Sequence, residues 1–119
     1  MCAFKLTISF PAGKKEGTLT YEGTGGPISA TCWWDVSRID DGTYPECSRT
    51  KMDEYRVDSI FIANAKVNGR VVNNRFVHHG EGPGNSRGCI AVETDKIGRI
   101  LNNITPKNAK NVEVIIKTG

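Results

Sequence analysis

No apolar run in the sequence approaches the ~20 residues that cross a bilayer, because even residues 58–65 are bounded by charge and by Asn. A membrane span is excluded on that ground, and the expectation is a soluble chain. A secretory signal is missing too: residues 1–10 place one lysine inside an apolar and polar alternation rather than ahead of a long apolar stretch. Export either uses a signal outside these residues or goes another way. Cysteine is scarce and irregularly spaced. Cys2, Cys32, Cys47 and Cys89 make neither a dense disulfide framework nor a pair of CxxC zinc knuckles, so at least one needs an explanation of its own. An excess of one charge is lacking as well. Sixteen Lys and Arg against thirteen Asp and Glu leave +3, spread along the chain, which argues against a nucleic-acid partner. At 119 residues the chain is too short for two ordinary domains, and it contains no repeats, low-complexity tracts or linkers.

Thirteen glycines and five prolines cut the chain into short pieces, most of them rich in β-branched and aromatic residues. Residues 3–10 alternate, with Phe4, Leu6, Ile8 and Phe10 on one side, and a Pro-Ala-Gly turn leads to residues 17–21 as the second arm of a hairpin. Residues 28–34 read as a short strand whose two tryptophans pack in the core or line a cleft. Asp40-Asp41-Gly42 is a turn, Pro45 argues for an edge or strand end, and residues 48–56 read as a polar, charged loop. Further strands are expected within 55–65 and 73–79, with a hairpin turn at Asn68-Gly69, and again at 89–92 and 112–117. Residues 80–88 (GEGPGNSRG) hold four glycines and a proline, which dictates a loop with open backbone amides. Helical spacing occurs at 94–104, where Ile97, Ile100, Leu101 and Ile104 share a face and Thr94 or Asp95 serves as N-cap. The predicted fold is a single, mainly β domain, a compact sandwich or barrel-like sheet with one short helix packed on it.

The densest group of reactive residue types is 75–90 (RFVHHGEGPGNSRGCI). A cysteine is a nucleophile only as thiolate, which a nearby histidine, a cation or aligned amides favour, and all three are available here. The plain alternative makes Cys89 a small hydrophobe opening a buried strand. The amides of Gly88 and Cys89 are candidates for an oxyanion site, with positive charge from Arg87 or a histidinium. A zinc site from His78, His79 and Cys89 lacks an evident fourth ligand.

Ser86-Arg87-Gly88-Cys89-Ile90 resembles the nucleophile signature of the YkuD-type L,D-transpeptidases, preceded by the family's histidine-glycine at His79-Gly80. Asp41-Gly42-Thr43-Tyr44 resembles, more weakly, a turn that precedes the central part of that catalytic domain. The short length is also similar to the L,D-transpeptidase-like toxins that bacteria inject into the periplasm of competitors. The resemblance implies the transpeptidase catalytic fold and a cysteine acyl-transferase that needs no cofactor or metal. Its substrate would be the peptidoglycan stem peptide, attacked at the third residue with release of terminal D-alanine. Cys89 takes the nucleophile's place, His79 the general base's, and Gly88 with Cys89 the oxyanion site, with Ser86, Arg87, His78 and Tyr44 as substrate contacts. His78 is the alternative base, since successive strand residues face opposite ways.

Two departures from the family stand out. His79 lies only ten positions before Cys89, so the loop over the substrate is trimmed, and Ala91 stands where Arg or Asn often follows, so that a polar contact must come from elsewhere, Arg75 or Arg87. Ser86 is otherwise a turn residue and Glu81 an exposed carboxylate or a histidine-orienting one. Cys32 and Cys47 either pair in an oxidising compartment or stay as small buried residues. The expected place of action is the periplasm or cell wall, reached by a secretion system or phage, with an immunity protein as partner if the chain is an effector, and a monomer as the default. The competing reading is a non-catalytic wall-binding module that holds sugar or peptide with Trp33, Trp34 and Tyr44. Papain-like peptidoglycan hydrolases fit poorly, because they place the cysteine at a helix start upstream of the histidine.

Overall fold

A computed structural model describes residues 4–52, 57–86 and 88–119. Its strands are β1 (Phe4–Phe10), β2 (Glu16–Glu22), β3 (Ile28–Trp33), β4 (Gly42–Met52), β5 (Val57–Phe61), β6 (Lys66–Val67), β7 (Arg70–Val71), β8 (Phe76–His79), β9 (Ile90–Val92) and β10 (Val112–Thr118), with one helix, α1 (Thr94–Asn103). Eight of the strands close into a barrel in the order β1-β10-β4-β5-β8-β9-β3-β2, and β6 and β7 form a separate two-stranded ribbon. The protein is mainly β, as its composition predicts.

Period-two patterning writes the barrel. Along β1 every second residue is buried, so Leu6, Ile8 and Phe10 point inward while Lys5, Thr7 and Ser9 face out. The expected hairpin forms with Leu6 opposite Tyr21 and Ile8 opposite Leu19. Asn68 and Gly69 both take positive φ, 52° and 80°, as a two-residue turn between β6 and β7 requires. Ile97, Ile100 and Leu101 of α1 join the same core as the inward strand residues. Neither Thr94 nor Asp95 is the N-cap. That position is Glu93, whose carboxylate instead accepts the Thr31 amide at 2.6 Å and ties the helix start to β3.

Residues 48–52 belong to an eleven-residue strand rather than to the loop expected over 48–56; residues 53–56 lie outside the described ones. Its charge is handled locally. Arg49 is nearly buried and donates through Nε and Nη2 to Asp58 at 2.8 and 2.6 Å, and through Nη1 to the Ile104 carbonyl at 3.2 Å. Pro45 does not mark an edge. The β4–β10 register slips between Val112 opposite Cys47 and Val114 opposite Tyr44, and the bulge this creates holds the proline, which has no ladder proton to give.

Cys32 and Cys47 form no disulfide. They sit on β3 and β4, four places apart in a ring of eight, so their inward-facing sulfurs cannot approach to bonding distance. Burial pushes the Cys32 thiol up to about 12, with the Glu16 carboxylate adding to the effect. Among the described residues no helix is long and apolar enough to cross a membrane.

Candidate active site

β8 and β9 lie side by side and parallel, with Val77 opposite Ile90, His78 opposite Ala91 and His79 opposite Val92. Val77, Ile90 and Val92 belong to the core. By alternation, Phe76, His78, Cys89 and Ala91 occupy the other face of the sheet. Trp33 pairs with Ala91, so one row on that face reads Trp33, Ala91, His78 across three strands. Phe61 pairs with Phe76 and their rings meet at 5.4 Å between centroids, which places an aromatic pair on the next row.

Cys89 immediately precedes β9, and one further step of the register sets it abreast of Phe76. The Phe76 amide accordingly donates to its sulfur at 3.4 Å, and the thiol lies 3.8 Å from the Asn74 carbonyl. The cysteine is 6% exposed. Two residues along β8 on the same face, His78 is 5% exposed, with Nδ1 2.7 Å from the His79 carbonyl. A carbonyl only accepts, so Nδ1 carries the proton and the lone pair of the neutral ring belongs to Nε2. His79, by contrast, is exposed at the strand end and shares its pleat parity with Val77. The register thus puts His78, and not His79, on the face that carries Cys89.

The glycine-rich segment contains a short 3-10 turn, Pro83–Asn85. Ser86 closes it. Its amide and hydroxyl both donate to the Pro83 carbonyl, at 3.0 and 2.8 Å, and its own carbonyl accepts the Cys89 amide at 2.7 Å. Ser86 is 1% exposed and holds the turn, one of the two readings open to it, and the Cys89 amide is engaged inside that turn. Gly88 has φ of +89°, and a Cβ at this position would lie 3.2 Å from Cζ of Arg75, so the guanidinium is stacked on the glycine backbone. Arg75 Nη1 donates to Asn74 Oδ1 at 2.7 Å, while its buried Nε has no hydrogen-bond partner among the described residues. Glu81 is exposed, and its carboxylate accepts the Thr94 hydroxyl at 3.2 Å.

Tyr44 does not join the site. It is packed in the core from β4, and its hydroxyl donates to the Asp40 carbonyl at 2.7 Å; burial pushes its pKa up. Trp34 is packed against the core and donates to the Lys14 carbonyl at 2.8 Å. Arg87 lies outside the described residues. Among the described residues no group of three or more His, Cys, Asp or Glu side chains is placed to hold a metal. Asn74 and the Phe76 amide are the parts that sequence reasoning missed, because no local pattern marks them and only the β8–β9 register brings them to the thiol. No protein-family model, curated protein or solved structure matches the chain.

Proposed function

We propose that the protein is a cysteine acyl-transferase acting on peptidoglycan stem peptides, of the kind that the Ser-Arg-Gly-Cys-Ile segment resembles. The observation that carries the reading is the placement of Cys89 and His78 on one sheet face, with the imidazole held by its Nδ1 so that Nε2 is the basic nitrogen. His78 takes the thiol proton, and the sulfur attacks the carbonyl carbon of the third stem residue. The oxyanion meets the Gly88 amide, joined by that of Cys89 only if the latter leaves the Ser86 carbonyl. On collapse the peptide C–N bond breaks, imidazolium protonates the departing D-alanine amine, and a thioester to Cys89 remains. Water, a neighbouring stem's amine or a free D-amino acid then displaces the sulfur, giving carboxypeptidase, 3-3 cross-linking or exchange. Because Cys89 is 6% exposed, a substrate reaches the sulfur only when a neighbouring group moves aside.

Action on this substrate places the protein in the periplasm or cell wall, and an immunity protein is the natural partner of such an effector. The wall-binding alternative retains Trp33 on the site face but loses Tyr44 and Trp34, which are packed into or against the core.

Cys89→Ala is expected to abolish D-alanine release from tetrapeptide stems while the melting curve stays close to that of the parent. Mass spectrometry of digested peptidoglycan reads lost D-alanine, 3-3 dimers and exchanged D-amino acids separately. Wild-type turnover by the variant would end the proposal.

A further inference from the structure

We propose that the protein carries a further binding site, for a small monocarboxylate with a flat apolar body, that shares none of the residues placed around Cys89 and His78. The site is a cavity of about 240 Å³ at one end of the barrel, between the turn that joins β1 to β2 and the segment that follows β3. Phe10, Pro11 and Trp34 supply its apolar wall, and Lys14, Arg38 and Thr118 the polar one. Its volume falls below the ~300 to 1,000 Å³ of sites for drug-sized molecules, so the occupant is small.

Three observations at Arg38 point to an anion. Nη2 donates to Asp41 Oδ1 at 2.9 Å and to Thr118 Oγ1 at 3.1 Å, and Asp41 Oδ2 is itself held by the Thr118 amide and hydroxyl at 3.0 and 2.8 Å. The guanidinium carbon lies 5.7 Å from the centre of the Phe10 ring, which fixes the head group against an aromatic face. Nη1 is buried and has no hydrogen-bond partner among the described residues, a condition that costs free energy and that an incoming acceptor relieves.

Charge decides the kind of anion. Two cations line the cavity, and Asp41, bonded to Arg38, offsets one of them. Lys14 makes no ion pair among the described residues, whereas Lys15 beside it is already paired with Asp35 at 2.6 Å. The excess of one positive charge matches a monoanion, and a second negative charge would meet the Asp41 carboxylate. A carboxylate suits the planar guanidinium, and Phe10 and Trp34 offer ring faces to the apolar body.

Benzoate is the probe, followed through the indole N–H signals of Trp33 and Trp34 by NMR, with Trp33→Phe to tell them apart. The two donors have separate partners, Glu16 Oε1 at 3.1 Å for Trp33 and the Lys14 carbonyl at 2.8 Å for Trp34. Benzoate should shift the Trp34 signal saturably and leave that of Trp33 nearly still. Benzyl alcohol keeps the ring without the charge and acetate the charge without the ring, and each should bind roughly 10-fold more weakly. Arg38→Gln should weaken benzoate by about 10-fold and Lys14→Gln by roughly 3-fold, neither altering the affinity for benzyl alcohol. Melting curves check folding, and if Arg38→Gln does not fold, Lys14→Gln decides alone. The assignment is overturned by the absence of a saturable shift, by benzyl alcohol binding as well as benzoate, by tighter binding of inorganic phosphate, or by an unchanged benzoate affinity in Lys14→Gln. Each of these results leaves the acyl-transfer reading where it stands.

Discussion

The two faces of the β8–β9 pair are both buried, yet they are built from different chemistry. Val77, Ile90 and Val92 meet the barrel interior, where Cys32 is paired opposite Val92 and its thiol is pushed up to about 12 by burial. On the other face, one residue out of step, lie His78, Cys89 and Ala91. Burial alone therefore does not distinguish an inert thiol from a candidate nucleophile. The hydrogen-bond partners do. Cys32 sits in the core cluster with a thiol raised by burial, whereas the Cys89 sulfur receives a backbone N–H at 3.4 Å.

Substitutions that separate the two faces sharpen this contrast. The largest effect is expected at the histidines: His78→Ala should lower D-alanine release by roughly 100- to 10,000-fold, the usual worth of a general base, while His79→Ala costs a few-fold at most. Labelling by a thiol-reactive probe should rank the two variants in the same order, and the opposite ranking would return the role to His79. On the inner face, Ile90→Ala removes a fully buried side chain and should cost about 2–5 kcal/mol in denaturant unfolding with little change in turnover per folded molecule. If it instead removed the proposed activity from folded protein, the faces would not be separable. The smallest effect concerns Cys32. Its folded pKa of about 12 lies above the ordinary value of 9.0, so its contribution is fully present below pH 9 and is lost as the unfolded chain ionises first. By pH 10 the loss is on the order of 1 kcal/mol. Cys32→Ala should flatten that part of the alkaline stability profile, and an unaltered profile would show that the thiol is not sealed from water.

The barrel was legible wherever alternation ran unbroken, as along β1, and wherever a turn had its own chemistry, as at Asn68-Gly69. It was hidden in β4, because the bulge at Pro45 shifts the period and because Arg49 looks like solvent-facing charge until Asp58 is brought beside it. The candidate site was half legible. A thiol, two histidines and a glycine-rich turn are adjacent in sequence, so the segment could be found. Choosing between His78 and His79 depends on which of Val77 and His78 faces the core, a property of pairing with β9 rather than of any local motif. The turn role of Ser86 and the core position of Tyr44 could not be read locally for the same reason: their hydrogen bonds, to Pro83 and Asp40, exist only once the chain has folded.

The bond from the Phe76 amide to sulfur has an evolutionary corollary. It pins the thiol to one point on β8, and His78 follows two residues later, so about 6.7 Å of backbone repeat sets the separation of the two groups. Length changes are therefore unequal in their consequences. The turn after Gly80 can gain or lose residues and still return to the same register. A single insertion between Phe76 and His78 would turn the imidazole into the hydrocarbon interior and bring Val77 to the thiol.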